Sequence, residues 1–265
     1  MTETISLRAP RDPAQLGIPD ALVQDLMLRR ALFEGKTSTV KLSEKLALGA
    51  SITNKVVEEL RELRYFEVLG LEGHDYTLTL TDQGREAANE RMRLCRYAGA
   101  APVSLSLYRD VVEAQAASPK VTRESMRDAF SDLVVETAVL DELGPALIAE
   151  GAIFLYGPPG TGKTSVAERL IRLHKDHVVV PRSVEVDSQI ITVFDPVVHH
   201  PVDPQPPELD PRWVLCRRPS VIAGGELTRR CSTSPTRTPT ACTWRRCRCR
   251  RTTACSWSTT SAARS

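Results

Sequence analysis

Apolar and polar positions along this chain change period at recognisable points. Leu22, Leu26 and Phe33 are spaced as one face of a helix, and Leu42 and Leu46 mark a second that Gly49 closes. A third opens at Ser51, a side chain suited to an N-cap, and repeats apolar residues at Ile52, Val56, Leu60 and Leu63. The period then drops to two. Phe66 and Val68 start a strand, Gly73 allows a turn, and the stretch from Tyr76 to Leu80 alternates as the returning strand. Thr81-Asp82 caps a further helix from Gln83 onward. Helical spacing resumes over residues 121–135 and 137–149, the second interrupted by Gly144-Pro145. Ala152-Ile153-Phe154-Leu155-Tyr156 is a wholly apolar run, the signature of a buried parallel strand. Residues 164–173 then place Val166, Ala167, Leu170 and Ile171 at helical spacing, and residues 178–180 and 190–194 read as strands.

These elements divide the chain into a flexible stretch 1–19, a helical module 20–97, a small-residue, proline-broken linker 98–106, an α/β body 107–228 and a tail 229–265. Three helices followed by a two-stranded wing resemble a winged helix. In a DNA-binding winged helix the third helix enters the major groove. Its exposed residues here are expected to be Thr53, Asn54, Lys55, Glu58 and Glu59. Asn54 and Lys55 suit bases or phosphate, whereas the two glutamates oppose it. Residues 20–95 hold eleven Lys/Arg against thirteen Asp/Glu, a net charge of −2. Counterion release supplies most of a DNA binder's affinity, so protein contacts are the favoured use of the module and DNA the alternative.

Between the apolar run and the next helix lies Gly157-Pro158-Pro159-Gly160-Thr161-Gly162-Lys163-Thr164, followed by Ser165. This is the G-x-x-x-x-G-K-[ST] phosphate-binding loop. Gly157, Gly160 and Gly162 let successive N–H groups turn inward, and the helix beginning near Lys163 adds its positive end. Lys163 is expected to reach the β- and γ-phosphates and the Thr164 hydroxyl to hold Mg²⁺, with Pro158, Pro159, Thr161 and Ser165 completing the cradle. ATP with Mg²⁺ is the ligand expected. The bland alternative is a glycine-rich turn that binds nothing.

The two prolines of that loop and the helical approach before the strand resemble the AAA+ ATPases. More narrowly, the chain is similar to a bacterial family described as predicted chaperone-type ATPases associated with Flp pilus assembly. The likeness runs from about Leu46 to about Thr228. It rests on Leu80-Thr81-Asp82-Gln83-Gly84-Arg85, the loop, residues 193–199 (Val-Phe-Asp-Pro-Val-Val-His) and Asp210-Pro211-Arg212-Trp213. It implies an α/β P-loop NTPase, incomplete here, with an N-terminal winged helix and a disordered C-terminal tail. The parent would be a homo-oligomer that couples ATP hydrolysis to remodelling or assembly of a protein partner, by resemblance in pilus assembly. The alternative is a nucleotide-regulated, winged-helix DNA-binding regulator.

A P-loop enzyme also needs an acid at the end of an apolar strand. The in-frame candidate is Asp195, 32 residues after Lys163 and followed by Pro196. The family places this segment before its acid-bearing strand, so a strand-ending turn is the favoured reading. Catalytic residues stay unassigned, multiple turnover is not expected, and ATP binding is expected to be weak or absent, with Lys163→Ala abolishing whatever binding exists. His174 with His177, and His199-His200, are ligand types without a cysteine or acid at zinc spacing, which favours solvated or turn roles.

Composition adds one boundary. The net charge of +2 includes nine arginines and no acid in residues 229–265, so residues 1–228 carry −7. Five of the seven cysteines also lie in that tail, and the body keeps only Cys95 and Cys216, as a reduced cytoplasmic protein would. The sequence shows no n/h-region pattern and no membrane-length apolar run, so a soluble, cytoplasmic chain is the expectation. The tail uses only Arg, Cys, Ser, Thr, Pro, Ala and Trp. With Ser taken as TCN, all of these have C or G as the middle codon base, the composition of a GC-rich coding sequence read out of frame. Shifting the codons from Ala254 to Thr260 by one base admits Gly-Leu-Phe-Leu-Val-Asp-Asp, an apolar strand ending in two acids. Frameshifting is therefore the expectation for residues 229–265, with a basic tail for nucleic acid or acidic partners as the alternative.

Overall fold

The computed structural model, which describes residues 7–72, 75–116, 121–149 and 153–220, builds its first core from the helical spacing near the N-terminus. α1 spans Asp20–Glu34, β1 Lys36–Ser38, α2 Thr39–Leu46 and α3 Ala50–Glu62. β2 (Phe66–Glu72) and β3 (Asp75–Leu80) pair antiparallel, and α4 follows at Asp82–Leu94. Leu26, Met27, Leu42, Leu46, Ile52, Leu60 and Leu78 close together as the core. Helices followed by a wing are the winged-helix arrangement, as the spacing predicts. β1 adds a third strand beside β3, three residues long and too short to show a period. Its last residue, Ser38, caps α2 by accepting from the Lys41 amide. The wing reaches the same turn: Asp75 accepts from the Thr39 hydroxyl at 2.6 Å and the Val40 amide at 3.2 Å. Burial pushes the Asp75 carboxyl up, but bonds from Ser38, Thr39 and Val40 outweigh it and hold the group below its ordinary value.

Several local expectations are corrected. α1 buries Val23, Leu26, Met27, Leu28 and Ala31, leaving Phe33 62% exposed on the opposite side. α3 begins one residue before Ser51 with Gly49 as its N-cap, and Leu63 is the exposed residue that ends it. Thr81 does cap α4, accepting from the Gly84 amide at 3.0 Å.

Residues 98–106 are packed rather than loose. The Ala101 amide donates to Leu46 O at 2.7 Å, and Ala100, Ala101 and Val103 are buried. Small side chains let this backbone lie against the first core. Val103–Ser104 forms β4, and Ser104 caps α5 (Leu105–Ala114). Beyond, β5 is His177–Pro181, β6 Ser183–Val186, β7 Gln189–Thr192 and β8 Trp213–Arg217. β6 runs parallel to β4 and antiparallel to β7, while β5 pairs antiparallel with β8. Asp187 and Ser188 both take positive φ in the tight β6–β7 turn.

Between these sheets in sequence lie α6 (Arg123–Ala129), α7 (Thr137–Ile148) and α8 (Lys163–Ile171). The helix expected over 121–135 shortens to α6 because the chain turns at Phe130–Leu133, and α7 runs unbroken through Gly144-Pro145. Met126, Phe130 and Leu143 gather Ile153, Val166, Leu170 and Leu173 into a separate cluster. The strand expected at 152–156 is not formed over Ile153 to Tyr156, and Phe154 and Tyr156 are 86% and 95% exposed. A buried strand needs partners for its backbone, and the neighbouring apolar runs are paired elsewhere, β5 with β8 and β7 with β6. Among the described residues there is no parallel sheet around the loop, so the fold is a mixed α/β arrangement of small sheets. The tail 229–265 lies outside the described residues.

Candidate functional site

The loop after Tyr156 takes the conformation its glycines permit. Gly157, Gly160 and Gly162 have φ of 150°, 83° and 76°, values that side chains disfavour. Gly162 is the N-cap of α8 and supplies no side chain to it. The first hydrogen bond of α8 runs from Val166 N to Gly162 O, so the amides of Lys163, Thr164 and Ser165 have no partner within the helix. Lys163 folds over the loop. Its Nζ donates to Gly157 O at 3.0 Å, Pro158 O at 2.6 Å and Thr161 Oγ1 at 3.2 Å, and Thr161 Oγ1 donates to Pro158 O at 3.0 Å. The ammonium thus ties the start of the loop to its end. Pro158, Pro159, Gly160 and Thr164 are exposed and Ser165 half-buried, so the cradle opens to solvent.

Behind the loop stands an ion cluster that sequence reading missed. Asp132, in the turn after α6, accepts from Arg169 Nη2 at 3.1 Å and from Arg172 Nη1 and Nη2 at 2.8 and 3.0 Å. Hydrogen bonds from Arg172 and Arg169 pull its carboxyl down to about 2. Arg169 also donates to Ser165 O at 3.3 Å. The available signal was two arginines three apart, Arg169 in the last turn of the loop's own helix and Arg172 at its C-cap.

The other candidates sit apart from the loop's own bonds. Asp195 is a turn residue: Oδ1 accepts from the Val197 amide at 2.9 Å, and its carbonyl accepts from the His199 amide at 2.8 Å. His199 stacks on Phe194, its Nδ1 accepts from Asp195 N at 2.9 Å, and burial lowers its basicity against a smaller opposing effect of Asp195. His174 is likewise lowered by burial and by Arg218, with Asp176 opposing. On α3, Ser51, Asn54, Lys55, Glu58 and Glu62 are exposed. Thr53, expected outside, is fully buried and donates to Gly49 O at 3.1 Å, and Glu59 is half-buried against Gln24. Lys55 lies 4.0 Å from Asp12.

No protein-family model matches this chain, and no curated protein matches it. Among solved structures it is similar to Staphylococcus aureus MarR in complex with salicylate and kanamycin. That match has 20% identity and a TM-score of 0.24, covering 49% of this chain and 74% of that one. Overlap that slight carries no argument about this chain. The resemblance to AAA+ ATPases and to the pilus-associated family is corrected: no family model supports it, and among the described residues the loop has neither the preceding strand nor the parallel sheet that such a fold requires. The homo-oligomer and the remodelled protein partner were drawn from that resemblance alone. No helix of the described residues is long and apolar enough to cross a membrane.

Proposed function

We propose that this chain is a nucleotide-responsive winged-helix regulator, in which a phosphate loop takes ATP with Mg²⁺ and the winged helix takes duplex DNA. The observation that carries the reading is the loop itself. Three glycines hold positive φ, and the Lys163 ammonium closes on Gly157 O and Pro158 O, leaving the amides of Lys163 to Ser165 directed out of α8. Such an array of donors beside a positive helix end suits a polyphosphate. Residues from Gly157 to Ser165 would hold the phosphates and Thr164 the Mg²⁺, which would screen the phosphate charge. Asp195 is committed to its own turn, so the reading is one of binding and switching rather than turnover.

The DNA half rests on where the polar residues of α3 fall. Ser51, Asn54 and Lys55 occupy its N-terminal end, the part of a recognition helix that reads base edges, while Glu58 and Glu62 lie one to two turns further on. Entry by the tip alone keeps the acids away from the duplex. The test is fluorescence anisotropy of a labelled duplex at low salt, with and without Mg·ATP. Binding is expected to be salt-dependent and altered by nucleotide, and Asn54→Ala is expected to cost about 1–3 kcal/mol. Absence of duplex binding at low salt would remove the DNA half and leave protein contacts as the role of the module.

A further inference from the structure

A phosphate loop works only if its helix points at the ligand, and among the described residues no strand anchors this one. Phe154 and Tyr156 are exposed, so among the described residues just before the loop Ile153 is the one packed against a core. α8 has no fully buried residue, and its apolar contacts, Val166, Leu170 and the following Leu173, are half-buried against α6 and α7. That packing resists separation but not rotation about the helix axis, since all three contacts lie along one stripe. The two arginines beside the stripe supply the missing constraint. Arg169 and Arg172 both close on the one carboxylate of Asp132, and Arg172 Nη1 also reaches Ala129 O at 3.4 Å. A planar fork gripping a planar carboxylate fixes orientation as well as distance. From this grip Arg169 extends back to Ser165 O at 3.3 Å, inside the first turn of α8.

We propose that Asp132, acting through Arg169 and Arg172, is the positioning residue of the phosphate site, setting the direction in which the amides of Lys163, Thr164 and Ser165 point. This inference rests on the nucleotide-binding reading above. Asp132 touches no phosphate; it acts on the helix that does. Lone surface ion pairs contribute little, but a three-membered network with forked geometry on a weakly buried helix is where such a pairing controls alignment. Supporting groups one step removed from a ligand typically change affinity by tenfold or more when lost.

The experiment is equilibrium binding of Mg·ATP to the full chain, comparing wild type, Asp132→Asn and Asp132→Glu. Hydrogen exchange of α6, α7 and α8 is followed alongside. Asp132→Asn is expected to weaken binding about tenfold. Asp132→Glu, which keeps the charge, is expected to recover most of that loss, with amide protection of the three helices retained in both variants. Wild-type binding that Asp132→Asn leaves unchanged would overturn the positioning role while sparing the nucleotide site. Loss of protection throughout α6–α8 together with loss of binding would make Asp132 a residue of the fold and also overturn it. A wild type that binds no Mg·ATP would overturn the nucleotide reading, and the inference with it.

Discussion

Two residues show how much of the fold depends on single atoms. Gly84 lies in the first turn of α4, where an added Cβ would sit 2.1 Å from Tyr65 O. Backbone on both sides leaves no flexible neighbour to yield, so Gly84→Ala is expected to destabilise by about 1–3 kcal/mol in urea unfolding. Unchanged stability would mean that α4 is free to shift. The second is Arg212, which is 2% exposed and paired with an equally buried Asp210 at 2.8 Å. Its Nη1 donates to Pro102 O, its carbonyl accepts from Arg182 N, and Asp210 N donates to Leu7 O. The pair thereby ties the N-terminal arm, the segment after α4 and the strands near the C-terminal end. Removing one partner strands a buried charge, so Arg212→Met is expected to cost about 3–5 kcal/mol. Converting both, with Asp210→Leu added, should recover much of it. A single variant as stable as wild type would refute that account.

At the scale of elements, α8 depends on charge in a way that can be titrated. Asp132 is lowered from 3.8 to about 2 because Arg172 and Arg169 bond to its ionised form. A depressed carboxyl contributes stability that is fully present above its unfolded value and is lost as pH falls through its folded one. The grip on α8 should therefore persist at pH 4 and fail between about pH 3.8 and 2. Carboxyl NMR should place the Asp132 midpoint near the lower end of that window; a midpoint near the ordinary value would show that the arginines do not hold it. The helices and wing of the first core were legible because their period reports a buried face directly. The strand at Ile153–Tyr156 was misread because an apolar run records what could be buried, not whether neighbours exist to bury it. β1, β4 and the β5–β8 pairing are too short or too distant in sequence to leave a period. The loop was legible as a motif, but Asp132 was not, since its partners lie about forty residues away.

For the whole molecule, the arrangement joins a winged helix to a small-sheet body and adds a helical cluster that carries the glycine loop 157–164. Gln115 brackets Val179 through both backbone groups, and Arg218 pairs with Asp176 while donating to Gln115 O. These bonds clasp the chain where it enters and leaves that cluster. The composition of residues 229–265 makes a separate prediction at the level of the gene. Restoring one base near Leu227–Cys231 should give an apolar strand ending in two acids at the codons now read as Cys255 to Thr260; stop codons in that frame would refute the frameshift. The central claim is nucleotide binding, and titration of the full chain with Mg·ATP, wild type against Lys163→Ala, tests it most directly. The account predicts saturable binding that Lys163→Ala weakens at least about tenfold, since both the loop's closing bonds and its point charge are removed. Equal affinity in the two proteins, or no binding by the wild type, would contradict it.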